Sequence, residues 1–124
     1  MVKLFFISGA VSGFLSVALG TFAAHELKKH LTEPLLKTFS VAVEYQFFHS
    51  LVLILIALTL MLKPKTSQFE TAGWFILAGI ILFSGSLYII ALTNLSIFGP
   101  VTPLGGVFFL IGWFYFILGA WKAL

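Results

Sequence analysis

Between Lys37 and Lys63 the only ionisable side chains are Glu44, Tyr45 and His49, and they fall within a single six-residue stretch, Glu44-Tyr45-Gln46-Phe47-Phe48-His49. On a helix Tyr45 and His49 are four apart and Gln46 and His49 three apart, so these three converge on one face while Glu44 points to a neighbouring one. Two chemistries suit such a set. An imidazole and a carboxylate inside an apolar segment can titrate or coordinate an ion or solute along a pathway. The same groups can instead hydrogen-bond across a helix contact, Gln46 or His49 to a serine hydroxyl, each bond being worth on the order of 1 kcal/mol and fixing the packing. The serines and tyrosine that could answer them are Ser84, Ser86 and Tyr88, and His25 is a further candidate.

Metal and cofactor chemistry find little to use. His25-Glu26-Leu27-Lys28-Lys29-His30 has the look of a zinc-protease helix, but histidines five apart lie about 140° apart around a helix and share no face. His25 and His49 alone are a weak signature for a haem. The chain has no cysteine, which excludes thiol nucleophiles, iron–sulfur clusters and disulfides. No phosphate-cradling loop, nucleophile elbow or usable carboxylate pair is present. We therefore expect no catalytic residue, no metal and no cofactor.

The elements that must position these groups can be read from composition. Of 124 residues, 60% are hydrophobic and 9% charged, and the mean hydropathy is +1.13. Soluble domains carry about a quarter charged residues, so the surrounding medium is lipid. A span needs roughly 20 apolar residues. Four stretches meet that length, about residues 4–24, 41–62, 71–93 and 103–121. Backbone groups in lipid must be bonded within their segment, and barrel-type alternation is absent. The expected fold is therefore all-α: one domain over residues 1–124, with four transmembrane helices in an antiparallel bundle. His49 then lies about 6–12 Å inside its span. The up-and-down order brings His25, Glu44, Tyr45, Gln46, His49, Ser84, Ser86 and Tyr88 toward one half of the bundle, with Thr102 beside them. A small polar cavity opening toward the first and third loops is expected there.

Several features concern packing. Gly105, Gly112 and Gly119 recur every seven residues in the last span, and Gly9 and Gly13 accompany the row Ser8, Ser12, Ser16, Gly20, Ala24 in the first. Small residues in rows let helix backbones approach closely, which suits a retained first span better than a cleaved signal peptide. Trp74 and Trp121 read as interfacial anchors. Between the first two spans, Leu27, Leu31, Leu35 and Phe39 repeat every four residues, and the lysines fall elsewhere on the wheel. That pattern predicts a short amphipathic helix lying in the membrane interface. Lys3, Lys63, Lys65 and Lys122 fall on the face that bears both termini, against Lys28, Lys29 and Lys37 on the other, which favours cytoplasmic termini. Seven lysines without arginine form no patch able to track phosphates, so the partner is the bilayer, with a homo-oligomer as an option, and not nucleic acid.

Ala24-His25, Ala42-Val43-Glu44-Tyr45-Gln46-Phe47-Phe48-His49, Phe83-Ser84-Gly85-Ser86-Leu87-Tyr88, Thr102-Pro103-Leu104-Gly105-Gly106 and Gly112-Trp113 together resemble the uncharacterised YgdD/YwdK-like membrane proteins, the domain of unknown function 423 family. Glu44 stands where that pattern is expected to carry glutamine or a variable residue. The resemblance implies a four-span protein of the bacterial inner membrane and adds no mechanism. Two classes of function are expected to compete. The first is a non-enzymatic structural, assembly or lipid-interacting component. The second is a small channel or transporter subunit with its site around His49, which would need a dimer to enclose a path.

Overall fold

A computed structural model describes all of residues 1–124. The chain is helical throughout, with no strand: α1 spans Val2–His25, α2 Glu33–Leu62, α3 Ser67–Gly79, α4 Gly85–Thr93 and α5 Val101–Ala123. Ile80–Ser84 forms a widened π turn that joins α3 to α4, so Ser67–Thr93 runs as one long rod. Four rods in all are long and apolar enough to cross a membrane. α2 is the most buried of them and α1 and α5 the least. α1 packs on α2, α5 packs on the third rod, and α2 meets the third rod between them.

The separate interfacial helix expected between the first two spans does not form. A single 3-10 turn, Leu27–Lys29, follows α1, and α2 then starts at Glu33 and runs unbroken for 30 residues, about 45 Å. Thr32, in extended conformation, precedes it without a side-chain capping bond, and Pro34 sits in its first turn, where a missing N–H costs nothing. No helix breaker separates Pro34 from Val41, so the segment carrying Leu35 and Phe39 becomes the first turns of the span itself. Leu27, Leu31 and Phe39 of its apolar row meet protein rather than lipid. Phe39 and Leu27 are buried with Ala23 and Ala91, and Leu31, Leu36 and Tyr88 pack against them.

Glycines set the helix contacts. A Cβ added at Gly112 would meet Ile76 Cδ1 at 2.7 Å, one at Gly119 would meet the Phe69 ring at 2.7 Å, and one at Gly105 would run into the backbone nitrogen of Phe83. The three glycines of α5 thus seat three residues spaced by the same seven positions on the antiparallel rod, two by their side chains and Phe83 by its backbone. Gly79 returns the arrangement by seating Phe109 of α5. Between α1 and α2, Gly9 lies against the Ser50 carbonyl and Ile54. In lipid this close van der Waals fit replaces the hydrophobic drive available in water. Asn94, with φ 56°, ends α4 in the left-handed region that asparagine tolerates.

Two apolar clusters result. The larger contains Phe5, Leu53, Ile56, Phe69, Ile76 and Phe109 among others, and the smaller is the Ala23, Leu27, Phe39, Ala91 group at the other end. The outer surface is apolar as well, with Phe14 75% and Leu110 70% exposed, as side chains facing acyl chains should be.

Candidate functional site

The polar side chains of the spans lie between those two apolar clusters, and they divide into separate groups instead of one. The first joins α1, α2 and α4. Gln46 donates from Nε2 to the Ser12 carbonyl at 3.0 Å and accepts on Oε1 from the Tyr88 hydroxyl at 2.5 Å. Ser50 Oγ is 2.7 Å from Ser12 Oγ and 2.6 Å from the Gln46 carbonyl, and Ser16 donates to the Ser12 carbonyl at 2.8 Å. Gln46 therefore bridges three helices, with both ends of its amide in use.

The second group lies where α2 meets α5. His49 Nδ1 is 2.8 Å from the Tyr45 carbonyl, and Trp113 Nε1 is 3.1 Å from His49 Nε2. An indole nitrogen can only donate and a carbonyl can only accept, so the two bonds together require the neutral ring with its proton on Nδ1. One face of that ring lies on Phe109, with centroids 3.7 Å apart and planes 13° apart, and Tyr45 stacks 6.1 Å away. His49 is left 6% exposed.

The π turn sets the third contact. A turn with one additional residue rephases the helix beyond it; the rod offers Phe69, Ile76 and Phe83 to α5 on one side, and Ser84 and Tyr88 to α2 on another. Ser84 Oγ donates to the Ala42 carbonyl at 2.8 Å. Ser86 turns elsewhere, 3.0 Å from the Phe83 carbonyl and 2.5 Å from the Thr102 hydroxyl of α5.

Of the eight residues expected in one cluster, Gln46 and Tyr88 meet directly, while Tyr45 and His49 share the face toward α5. Ser84 bonds α2 at the Ala42 carbonyl and Ser86 bonds α5 at Thr102, each apart from the other groups. His25 and Glu44 do not join: both line an outward groove between α1 and α2, because Glu44 lies on the side of α2 away from the third rod. The expected serine partner of His49 is replaced by Trp113, and that of Gln46 by Tyr88 and the Ser12 carbonyl. The expected opening toward the first and third loops is filled by the Ala23, Leu27, Phe39, Ala91 cluster, with the Tyr88 ring tilted against Phe39 at a centroid distance of 4.9 Å. No buried side-chain nitrogen or oxygen lacks a hydrogen-bond partner. Spacing on α2 alone overlooks Ser12, Ser50, Phe109 and Trp113. The signal that finds Trp113 is its position in mid-span, where an indole N–H needs an acceptor.

Comparison with known proteins finds relatives of nearly the same length. The family model described as a protein of unknown function, DUF423, matches residues 19–106. The chain is 42% identical to the UPF0382 membrane protein YwdK of Bacillus subtilis, over 99% of this chain and all of that protein. It is 42% identical to a UPF0382 membrane protein of Staphylococcus aureus, over 98% of each. With a UPF0382 membrane protein of Haemophilus influenzae it shares 40% identity, over 92% of this chain and 90% of the relative. No solved structure matches it.

Proposed function

The chain belongs to the DUF423 family of membrane proteins, and from that footing we propose that it is a non-enzymatic component of the bacterial cytoplasmic membrane, acting through structural, assembly or lipid contacts. Its interior polar groups hold the helices in register. One observation carries this: His49, the deepest titratable group of α2, has both ring nitrogens bonded within the protein and one face covered by Phe109. A relay or coordination site needs a lone pair or proton facing a solute. Here each is engaged by Tyr45 or Trp113. Gln46 is committed in the same way, to Ser12 and Tyr88.

Both termini face the cytoplasm in this proposal, supported by Lys3, Lys63, Lys65 and Lys122 on their side against Lys28, Lys29 and Lys37 on the other. The test pairs stability with flux. His49→Leu and Gln46→Leu should each lower the melting temperature in detergent, while wild-type proteoliposomes pass protons and alkali cations no faster than protein-free vesicles. A wild-type flux that His49→Leu abolishes would make His49 part of a pathway and overturn the proposal.

A further inference from the structure

The face of the α1–α2 pair turned away from the third rod carries a continuous groove. It consists of three adjoining hollows of about 250, 540 and 420 Å³, linked because the first two share Gly20, Ala24, Val43 and Glu44 and the last two share Val17 and Phe47. The head of the groove is where its polar side chains gather, Lys28, Ser40, Glu44, His25 and Thr21 among apolar neighbours. Its lower part is apolar, lined by Val17, Phe47, Phe14, Leu51 and Ile54, with Gly13 leaving the floor open.

Its length has a physical counterpart. From Ser40 to Ile54 is fourteen residues of one helix, roughly 21 Å. One leaflet comprises about 15 Å of hydrocarbon with roughly 5–7 Å of headgroup region above it, so the groove is one leaflet deep. Counting about 20 residues back from Leu62 places the hydrocarbon edge near Ala42. The polar head of the groove then lies at headgroup level.

Charge indicates which lipid fits. The one ion pair in the molecule joins Lys29 to Glu26 at 3.8 Å, so Glu44 carries its carboxylate at the membrane edge without a lysine partner. Lys28 lines the same hollow. At headgroup level an unpaired carboxylate offers a seat to a cation, and a lysine lining the same hollow suits an anion.

We propose that the groove seats one phospholipid whose headgroup carries both a phosphate and a primary ammonium. The ammonium sits on Glu44, the phosphate beside Lys28 with His25 as a further donor, and one acyl chain lies along Val17, Phe47 and Ile54. This deepens the lipid-contact part of the proposed function and rests on it.

Native mass spectrometry of the purified full chain tests the assignment, with phosphatidylethanolamine and phosphatidylglycerol of identical acyl chains supplied in equal amounts. Wild type should retain one phosphatidylethanolamine per chain, favoured by about ten-fold over phosphatidylglycerol. Glu44→Gln should remove that preference, and Val17→Trp, which fills the groove from an exposed position, should lose both lipids. Ala24→Phe, exposed at the head of the groove, serves as a second plug should Val17→Trp fail to fold. Equal retention of the two lipids by wild type, or a preference unchanged in Glu44→Gln, overturns the proposal. So does a dimer that either plug converts to monomer without loss of lipid, since a second copy then fills the groove. None of these failures touches the interior hydrogen bonds, which are judged by flux and stability.

Discussion

Trp113 on α5 donates its indole N–H to Nε2 of His49 on α2, 64 residues earlier in the chain, at 3.1 Å. That bond, with the Nδ1 contact to the Tyr45 carbonyl, turns the residue with the greatest chemical potential in the spans into a fastener between two helices.

The ring's tautomer is the first prediction. Nitrogen-15 NMR of the detergent-solubilised protein near neutral pH should show His49 with Nδ1 protonated and Nε2 bare. Trp113→Phe should shift the Nε2 resonance and cost about 1–2 kcal/mol, because it leaves a buried acceptor unpaired. A spectrum of the opposite tautomer would contradict the bonding described.

Gln46 and Tyr88 should be energetically coupled. In a double-mutant cycle of Gln46→Leu with Tyr88→Phe, unfolding in mixed micelles should give an interaction energy of about 0.6–1.7 kcal/mol, the range of interhelical hydrogen bonds in membranes. Strict additivity of the two losses would show that the bond does not form in the folded protein.

Two glycines should respond oppositely to the same change. A Cβ at Gly105 collides with the backbone of Phe83, which cannot rotate aside, so Gly105→Ala should destabilise by about 1–3 kcal/mol. Gly85, helical and with nothing within 4 Å of its added Cβ, should accept alanine with no loss and a gain of up to about 1 kcal/mol. Thermal unfolding of the two variants side by side reads the difference.

Orientation gives a fourth prediction. Reporter fusions that are active only in the cytoplasm should be active at both termini and inactive in the Lys28–Thr32 connection. Activity at that connection, or at both sides in equal measure, would contradict the placement drawn from the lysines.

Much of this architecture is written in the chain. The length of the apolar runs predicts the four rods, and the seven-residue spacing of Gly105, Gly112 and Gly119 marks a face a neighbour can approach, though not that Phe83, Ile76 and Phe69 fill it. The four-residue row through Leu31 and Phe39 misleads, because periodicity shows that a face is apolar without showing what covers it. The uninterrupted helix after Pro34 makes that cover protein. Gln46 and Tyr88 sit at one level by topology alone, but the division of Gln46 from His49 depends on which rod each side of α2 meets. The π turn at Ile80–Ser84 rephases the third rod, and flanking Gly79 and Gly85 are its only trace in the sequence.

Solvent exchange of the His49 Nδ1 proton and of the Gln46 side-chain amide, measured by NMR in nanodiscs against the exposed rings of His25 and His30, reads whether water reaches the interior. Both should exchange far more slowly than either exposed histidine, as buried groups lying between two apolar clusters and bonded within the protein. Exchange at His49 as fast as at His25 would mean that water reaches it, and the interior would then be a passage instead of a fastening.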